Sequence, residues 1–300
     1  MELTTVMERL AKVPDRYRRF AIPASGALHK YRVPRDVLKH LLELGLPHTG
    51  GAGGPLFDRE DLKTVVLMLG LPSPNRAALT VMARTLAAGG RAEVNRTLTV
   101  QGVCPEPGHP GGCAFTLAPA LFAAGARPAG TDTYEVKIRL AGGHRLFDLT
   151  PAERRLFDEV CRFQFHHVPY ELNRSLRFMA DSGLADCTLA TNFLVARGRE
   201  LGVAIRPATG LFLAKPFATT HHWVELRRED GWWPADPFYL TALARWGVLD
   251  AAEWPPHRSP LGAYWRLDLA PGEQLITHVG ALTTVPATPQ RSGPGYLFIQ

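Results

Sequence analysis

Long apolar runs are missing from this chain. The longest, such as residues 64–71, fall far short of the roughly 18 apolar residues that a membrane-spanning helix needs, so no membrane partner is expected. Cysteine is scarce: four in 300 residues cannot build a disulfide framework. The first twenty residues, MELTTVMERLAKVPDRYRRF, have no apolar stretch and carry acidic residues early, unlike a secretory signal. The expected compartment is therefore the reducing cytoplasm. Runs of one charge are also absent. The 28 Arg and 6 Lys that make up the 34 basic residues are scattered, so a net charge of +6 does not by itself point to nucleic acid. No internal repeat or low-complexity tract occurs. GGAGG at 50–54 follows no clear strand and lacks the Lys-Ser/Thr pair of a phosphate-binding loop, and no cofactor is expected.

What remains is an ordinary globular composition, 46% hydrophobic and 21% charged, in a chain long enough for one large domain or two smaller ones. Residues 1–130 are mostly helical in pattern. Helical spacing of apolar residues predicts helices over 35–44, about 58–70 and about 75–86, each followed by glycine, with 47–55 (PHTGGAGGP) as a flexible loop. Past residue 130 the texture changes. Residues 133–140 (TYEVKIRL) alternate, and Gly142-Gly143 turns the chain toward HRLFDL, the pattern of a β-hairpin. Thr150-Pro151-Ala152-Glu153 is a capping box with proline in the first helical position, predicting a helix to about Phe165. A second helix is expected over 188–200, then strands over 203–214, 219–228 and 232–240, with shorter ones at 264–269, 275–283 and 296–299. A domain boundary is expected near 130.

Three residues in this second half carry candidate chemistry. Cys187 opens the 188–200 helix, where unpaired N–H groups and the helix dipole favour a thiolate; a lone free cysteine is otherwise a small buried hydrophobe. His221 and His222 lie in a strand, HHWVEL, and point to opposite faces, so only one can reach Cys187. Asp236 follows in GWWPADP, after a turn at Glu229-Asp230-Gly231 that makes its strand the neighbour of the histidine strand. A thiol, an imidazole to take its proton and a carboxylate to orient the imidazole form a nucleophilic triad. Taken singly, the histidines could be strand residues, Asp236 a turn starter and the tryptophans core; Arg206 reads as one half of a structural ion pair.

In their order these pieces resemble the transglutaminase-like superfamily, whose members share a papain-like core. The matching residues are Asp186-Cys187 at a helix start, Arg197, Gly202-Val203-Ala204-Ile205-Arg206, Thr209-Gly210, His-x-Trp-Val-Glu and Gly-Trp-x-Pro-x-Asp-Pro, over roughly 160–240. The resemblance implies an α+β fold, with a Cys-bearing helix packed on an antiparallel sheet. That catalytic domain would occupy about 131–300, preceded by a helical N-terminal extension over 1–130 that caps the cleft. It implies Cys187 as nucleophile, His221 (two before Trp223) as general base and acid, and Asp236 as orienting carboxylate. The expected function is acyl transfer through an acyl-thioester. The donor would be a peptide, a glutamine amide or a carrier-bound thioester, and an amine or water the acceptor, giving amide formation or hydrolysis. The Cys187 N–H is one expected oxyanion donor, with Gln164 and the tryptophans open as the second.

Three other readings remain at this point: a non-catalytic binding scaffold on the same core, an arylamine-N-acyltransferase-like enzyme, whose Arg-Gly-Gly-x-Cys motif is not matched here, and a DNA-binding pair of helices within 37–71, which the acidic Asp58, Glu60 and Asp61 disfavour. Cys104 and Cys113 are nine apart with only His109 nearby, a spacing that favours a Gly/Pro loop with incidental thiols, or a disulfide after oxidation, over a zinc site. Cys161 reads as core. Adjacent His166 and His167 lie on different helix faces, which does not suit a metal.

Overall fold

The computed structural model describes residues 2–90, 93–104, 112–215, 217–269 and 273–279; His109 and the strand expected at 296–299 lie outside them. Helices α1 (Leu3–Leu10), α2 (Ala24–His29), α3 (Arg35–Glu43), α4 (Arg59–Met68) and α5 (Pro74–Ala87) form the first part. Their starts follow the sequence. The Asp58 carboxylate accepts from the backbone N–H of Glu60 and Asp61, and Ser73 caps α5 ahead of Pro74. Every residue of α4 from Asp61 to Met68 is buried, which leaves this stretch without a solvent-facing surface. The charges so buried are paired, Asp61 with Arg18 at 2.6 Å and Lys63 with Glu60 at 3.1 Å.

The 47–55 segment differs from the expected loop. β2 (His48–Gly51) and β3 (Gly54–Asp58) make a hairpin around Ala52-Gly53, joined by β1 (Phe20–Pro23) in the order β1-β3-β2. All four residues of β2 are exposed, so no apolar alternation announces the strand, and the tight turn is closed by Gly54 at φ +108°.

The expected hairpin at 133–149 is also replaced. β4 (Glu93–Gln101) precedes β5 (Ala114–Leu117), α6 (Pro119–Ala123), β6 (Arg127–Pro128) and β7 (Thr133–Ala141). β7 pairs along its length with β4, from Glu93↔Ala141 to Gln101↔Thr133. Residues 144–149 contribute a single bridge, Leu146↔Arg258. The distant partner wins because Val94, Leu98 and Val100 complete one apolar face with Val136 and Ile138, which HRLFDL could not. The β4–β7 pairing spans residue 130.

The remaining elements are α7 (Pro151–Val160), β8 (Gln164–Phe165), α8 (Leu176–Ser182), β9 (Leu184–Ala185), α9 (Cys187–Glu200), β10 (Ile205–Phe212), β11 (Thr219–Arg228), β12 (Gly231–Ala235), α10 (Pro237–Arg245), β13 (Tyr264–Arg266) and β14 (Ile276–Val279). The predicted capping box starts α7. The helix stops at Val160 rather than Phe165, and the Arg245 guanidinium donates to the Cys161 and Phe163 carbonyls just past its end. Four antiparallel strands in the order β12-β11-β10-β13 form the main sheet. α9 covers it, burying Leu189, Ala190 and Leu194 against Val224 and Leu226. Among the described residues no helix is long and apolar enough to cross a membrane.

Helices α1 to α5 share one apolar core with the other side of that sheet. Val65, Met82 and Leu86 join Phe212, Trp223, Tyr239 and Tyr264 in a single cluster. Lys12 Nζ also donates to the Ser182 carbonyl at 2.8 Å, and Arg76 to the Trp246 carbonyl at 3.1 Å. Gly210, paired with His221 on one side and Arg266 on the other, allows this crossing: a Cβ there would stand 2.0 Å from the Trp265 carbonyl oxygen. Gly210→Ala is expected to destabilise the fold by about 1–3 kcal/mol, since the obstruction is backbone and cannot rotate away; denaturant unfolding measures it.

Candidate active site

Cys187 occupies the first position of α9 because Asp186 caps that helix, its Oδ1 accepting from Leu189 N at 2.8 Å. Burial pushes the Asp186 carboxyl up to about 7, against the pull of the backbone N–H groups it accepts. Cys187 itself is half-buried. On β11, His221 is 3% exposed and its Nε2 lies 2.6 Å from Asp236 Oδ2. Asp236 closes β12 and caps α10 through Oδ1, which accepts from Tyr239 N at 3.1 Å. The Cys187 thiol is within hydrogen-bonding reach of His221. With Nε2 occupied by Asp236, the nitrogen left for the thiol is Nδ1. The three residues singled out in the sequence are therefore neighbours in the order Cys187, His221, Asp236. His222 points the other way, as the strand alternation requires, and meets Thr209 Oγ1 at 3.0 Å.

The electrostatics of the two histidines diverge. Burial disfavours a charged His221, but the Asp236 charge and hydrogen bond, with Cys187 beside them, outweigh it and push the imidazole up to about 10. Burial and the neighbouring His221 hold His222 down to about 4. His221 thus carries a proton at neutral pH and His222 does not.

Two tyrosines complete the surroundings of His221, and no local pattern in the sequence marked them. The Tyr264 hydroxyl donates to Asp236 Oδ2 at 2.7 Å, and its ring stands 5.0 Å from that of His221. The Tyr239 ring lies 4.8 Å from His221, while its hydroxyl donates to Met82 Sδ at 3.4 Å. Burial, then nearby negative charge, raises both phenols, so they remain neutral donors. Tyr264 comes from a strand 28 residues beyond Asp236; only the tertiary fold brings it in.

A cavity of about 270 Å³ opens on Cys187 and His221. One wall comes from the N-terminal helices, with Lys63 and Leu67 of α4 and Leu79 and Met82 of α5; Phe217, Tyr239 and Trp246 face them. The parallel β8–β9 bridge places Phe165 opposite Ala185, and His166 N donates to the Ala185 carbonyl at 2.8 Å. His167, the next residue, lines the same cavity as Cys187. Its Nδ1 is 3.7 Å from Glu60. Burial, with Lys63 and Arg59 nearby, holds its ring down to about 3, so His167 is neutral. Gln164 is exposed, and neither it nor Trp223 lines the cavity. Arg206 makes the ion pair expected of it, with Glu225 at 2.6 Å. Cys161 packs in the core, its thiol 3.1 Å from Thr241 Oγ1.

A thiol at a helix start beside a histidine and an aspartate from neighbouring antiparallel strands defines the α+β, papain-like class of core. The comparison with known families agrees: residues 147–237 match the family described as the transglutaminase-like superfamily, and the helices and antiparallel sheet are consistent with that superfamily's α+β core. Members are in general cysteine-based acyltransferases or protease-like enzymes. No curated protein matches the chain.

Proposed function

We propose that the chain is a cysteine-dependent acyltransferase or hydrolase working through an acyl-thioester on Cys187. The observation that carries this reading is the position of His221, bonded to Asp236 at 2.6 Å through Nε2 and lining one cavity with Cys187, which acts on its charge. Cys187 sulfur attacks the carbonyl of an amide or thioester, and protonated His221 gives its proton to the departing amine or thiol. The acyl group stays on Cys187. His221, now neutral, takes a proton from an incoming amine or water, and the new bond releases Cys187. Asp236, held by Tyr264 and Tyr239, fixes which nitrogen of His221 faces the reaction.

The Cys187 backbone N–H opens a helix and is one oxyanion donor. His167, which is neutral and lines the same cavity, supplies the second only as the tautomer that carries its proton on Nε2 and not on Nδ1, the nitrogen 3.7 Å from Glu60. His167→Ala is expected to lower kcat by roughly 10²-fold, while iodoacetamide labels Cys187 at the parent rate, because alkylation develops no oxyanion.

The largely apolar walls and modest volume favour a small apolar acyl group as the donor portion, delivered as an amide or carrier thioester in small-molecule or peptide biosynthesis in the cytoplasm. Helices α4 and α5 then act as the cap of the cleft. The test is intact-mass analysis after mixing with short-chain acyl thioesters and glutamine peptides, with and without amine acceptors. An acyl adduct on Cys187, discharged by amine or water, supports the proposal. Absence of any adduct across both donor classes favours a binding scaffold on the same core.

A further inference from the structure

The fold brings to Cys104 and Cys113 a third residue that lies far away in the chain. Among the described residues, the grouping of three potential metal-binding side chains is Cys104, Cys113 and His278, with the ligand atoms all within 4.8 Å of one another. We propose that these three residues bind a zinc ion that fastens β14 to the β4–β5 region.

The placement follows from strand geometry. Cys104 follows the end of β4 by three residues, and Cys113 immediately precedes β5. β14 pairs antiparallel with β5, setting His278 opposite Phe115. Cys113 is two residues before Phe115, so the alternation of an extended chain puts Cys113, Phe115 and His278 on one face. The Phe115 and His278 rings meet edge to face at 5.2 Å. On the other side, Phe115 packs over Gly102, where a Cβ would stand 2.2 Å from its ring. That contact brings the segment leading to Cys104 close to the same aromatic ring. The two thiols are within hydrogen-bonding reach of each other.

The chemistry of the set matches zinc. Two thiolates and an imidazole are borderline-soft ligands of the kind that select zinc over magnesium or calcium. Zinc bonds of about 2.3 Å to sulfur and about 2.0–2.1 Å to nitrogen place tetrahedral ligand atoms about 3.5–3.8 Å apart. From separations of at most 4.8 Å, the triangle closes with a movement of about 1.3 Å or less per pair, within the reach of side-chain rotation. Binding breaks two S–H bonds and sends both protons to solvent, His278 enters as the neutral imidazole, and two thiolates balance the charge of the ion. A water takes the fourth position. His278 is buried and Cys113 exposed, so the ion enters from the Cys113 side.

The test uses the full chain, reduced, stripped with a chelator and given one equivalent of zinc or cobalt in a Cys187→Ala background, so that the active-site thiol is not a competing ligand. The expected result is one zinc retained per chain after gel filtration. With cobalt, thiolate-to-metal charge-transfer absorption appears together with tetrahedral d–d bands. Cys104→Ser, Cys113→Ser and His278→Ala each lower zinc affinity by about 10-fold or more, since even second-layer partners cost that much. Circular dichroism confirms that the variants fold. Absence of the charge-transfer band in the Cys187→Ala parent overturns the proposal without reference to any variant. So does zinc affinity unchanged by His278→Ala, or a Cys104–Cys113 disulfide in the isolated protein that takes up no metal once reduced.

Discussion

His221→Ala is expected to lower turnover of an acyl thioester by a factor on the order of 10⁴ or more, the scale seen when one member of a coupled triad is removed. His221 is the titratable base between Cys187 and Asp236, and without it the leaving group loses its proton donor. The variant should still fold. Asp236 keeps two donors, the Tyr264 hydroxyl at 2.7 Å and Tyr239 N at 3.1 Å, and the space left lies among the Phe212, Trp223, Tyr239 and Tyr264 rings. His222→Ala is the control: its ring bonds Thr209 on the opposite face, and turnover should change by less than about 3-fold, since that face takes no part in the chemistry. Comparable losses in both variants would sink the assignment of roles.

Asp236→Ala should be more severe for the fold than for any other single residue of the site. Its carboxylate, 4% exposed, receives His221, Tyr264 and Tyr239 N at once. Removing one partner of a buried pair typically costs about 3–5 kcal/mol. The loss has a pH signature. His221 is raised to about 10 in the folded chain against about 6.5 when unfolded. The folded state therefore binds the extra proton, and the stabilisation is fully present below about 6.5, declines as pH rises, and is gone above about 10. The stability difference between parent and Asp236→Asn should accordingly shrink as pH is raised from 6.5 toward 10. Urea unfolding at several pH values measures it, and a difference independent of pH would show that His221 is neutral in the folded protein.

The site was legible in the sequence where its geometry is local. Asp186 next to Cys187 marks a capped helix start, and the turn at 229–231 makes β11 and β12 neighbours, which fixes the approach of Asp236 to His221. The starts of α4 and α7 were legible for the same reason. What the sequence did not disclose are contacts closed by tertiary packing. Tyr264 reaches Asp236 only because β13 lies on the edge of β10, and Tyr239 meets Met82 because α5 packs across the sheet. β7 passes over its adjacent partner for β4, some forty residues earlier, to complete an apolar face. The β2 strand was hidden by full exposure, and His278 joins Cys104 and Cys113 through the pairing of β14 with β5.

The most direct measurement of the central claim is the rate of iodoacetamide alkylation at each of the four cysteines as a function of pH, read by peptide mass mapping. Cys187, although half-buried Cys104 and exposed Cys113 compete with it for reagent, is expected to be labelled fastest below about pH 7, where an ordinary thiol of pKa about 8.5 is mostly protonated. His221→Ala is expected to slow labelling of Cys187 and leave the other three cysteines unchanged. Labelling of Cys187 no faster than that of Cys113, with no response to His221→Ala, would contradict an activated nucleophile at this site.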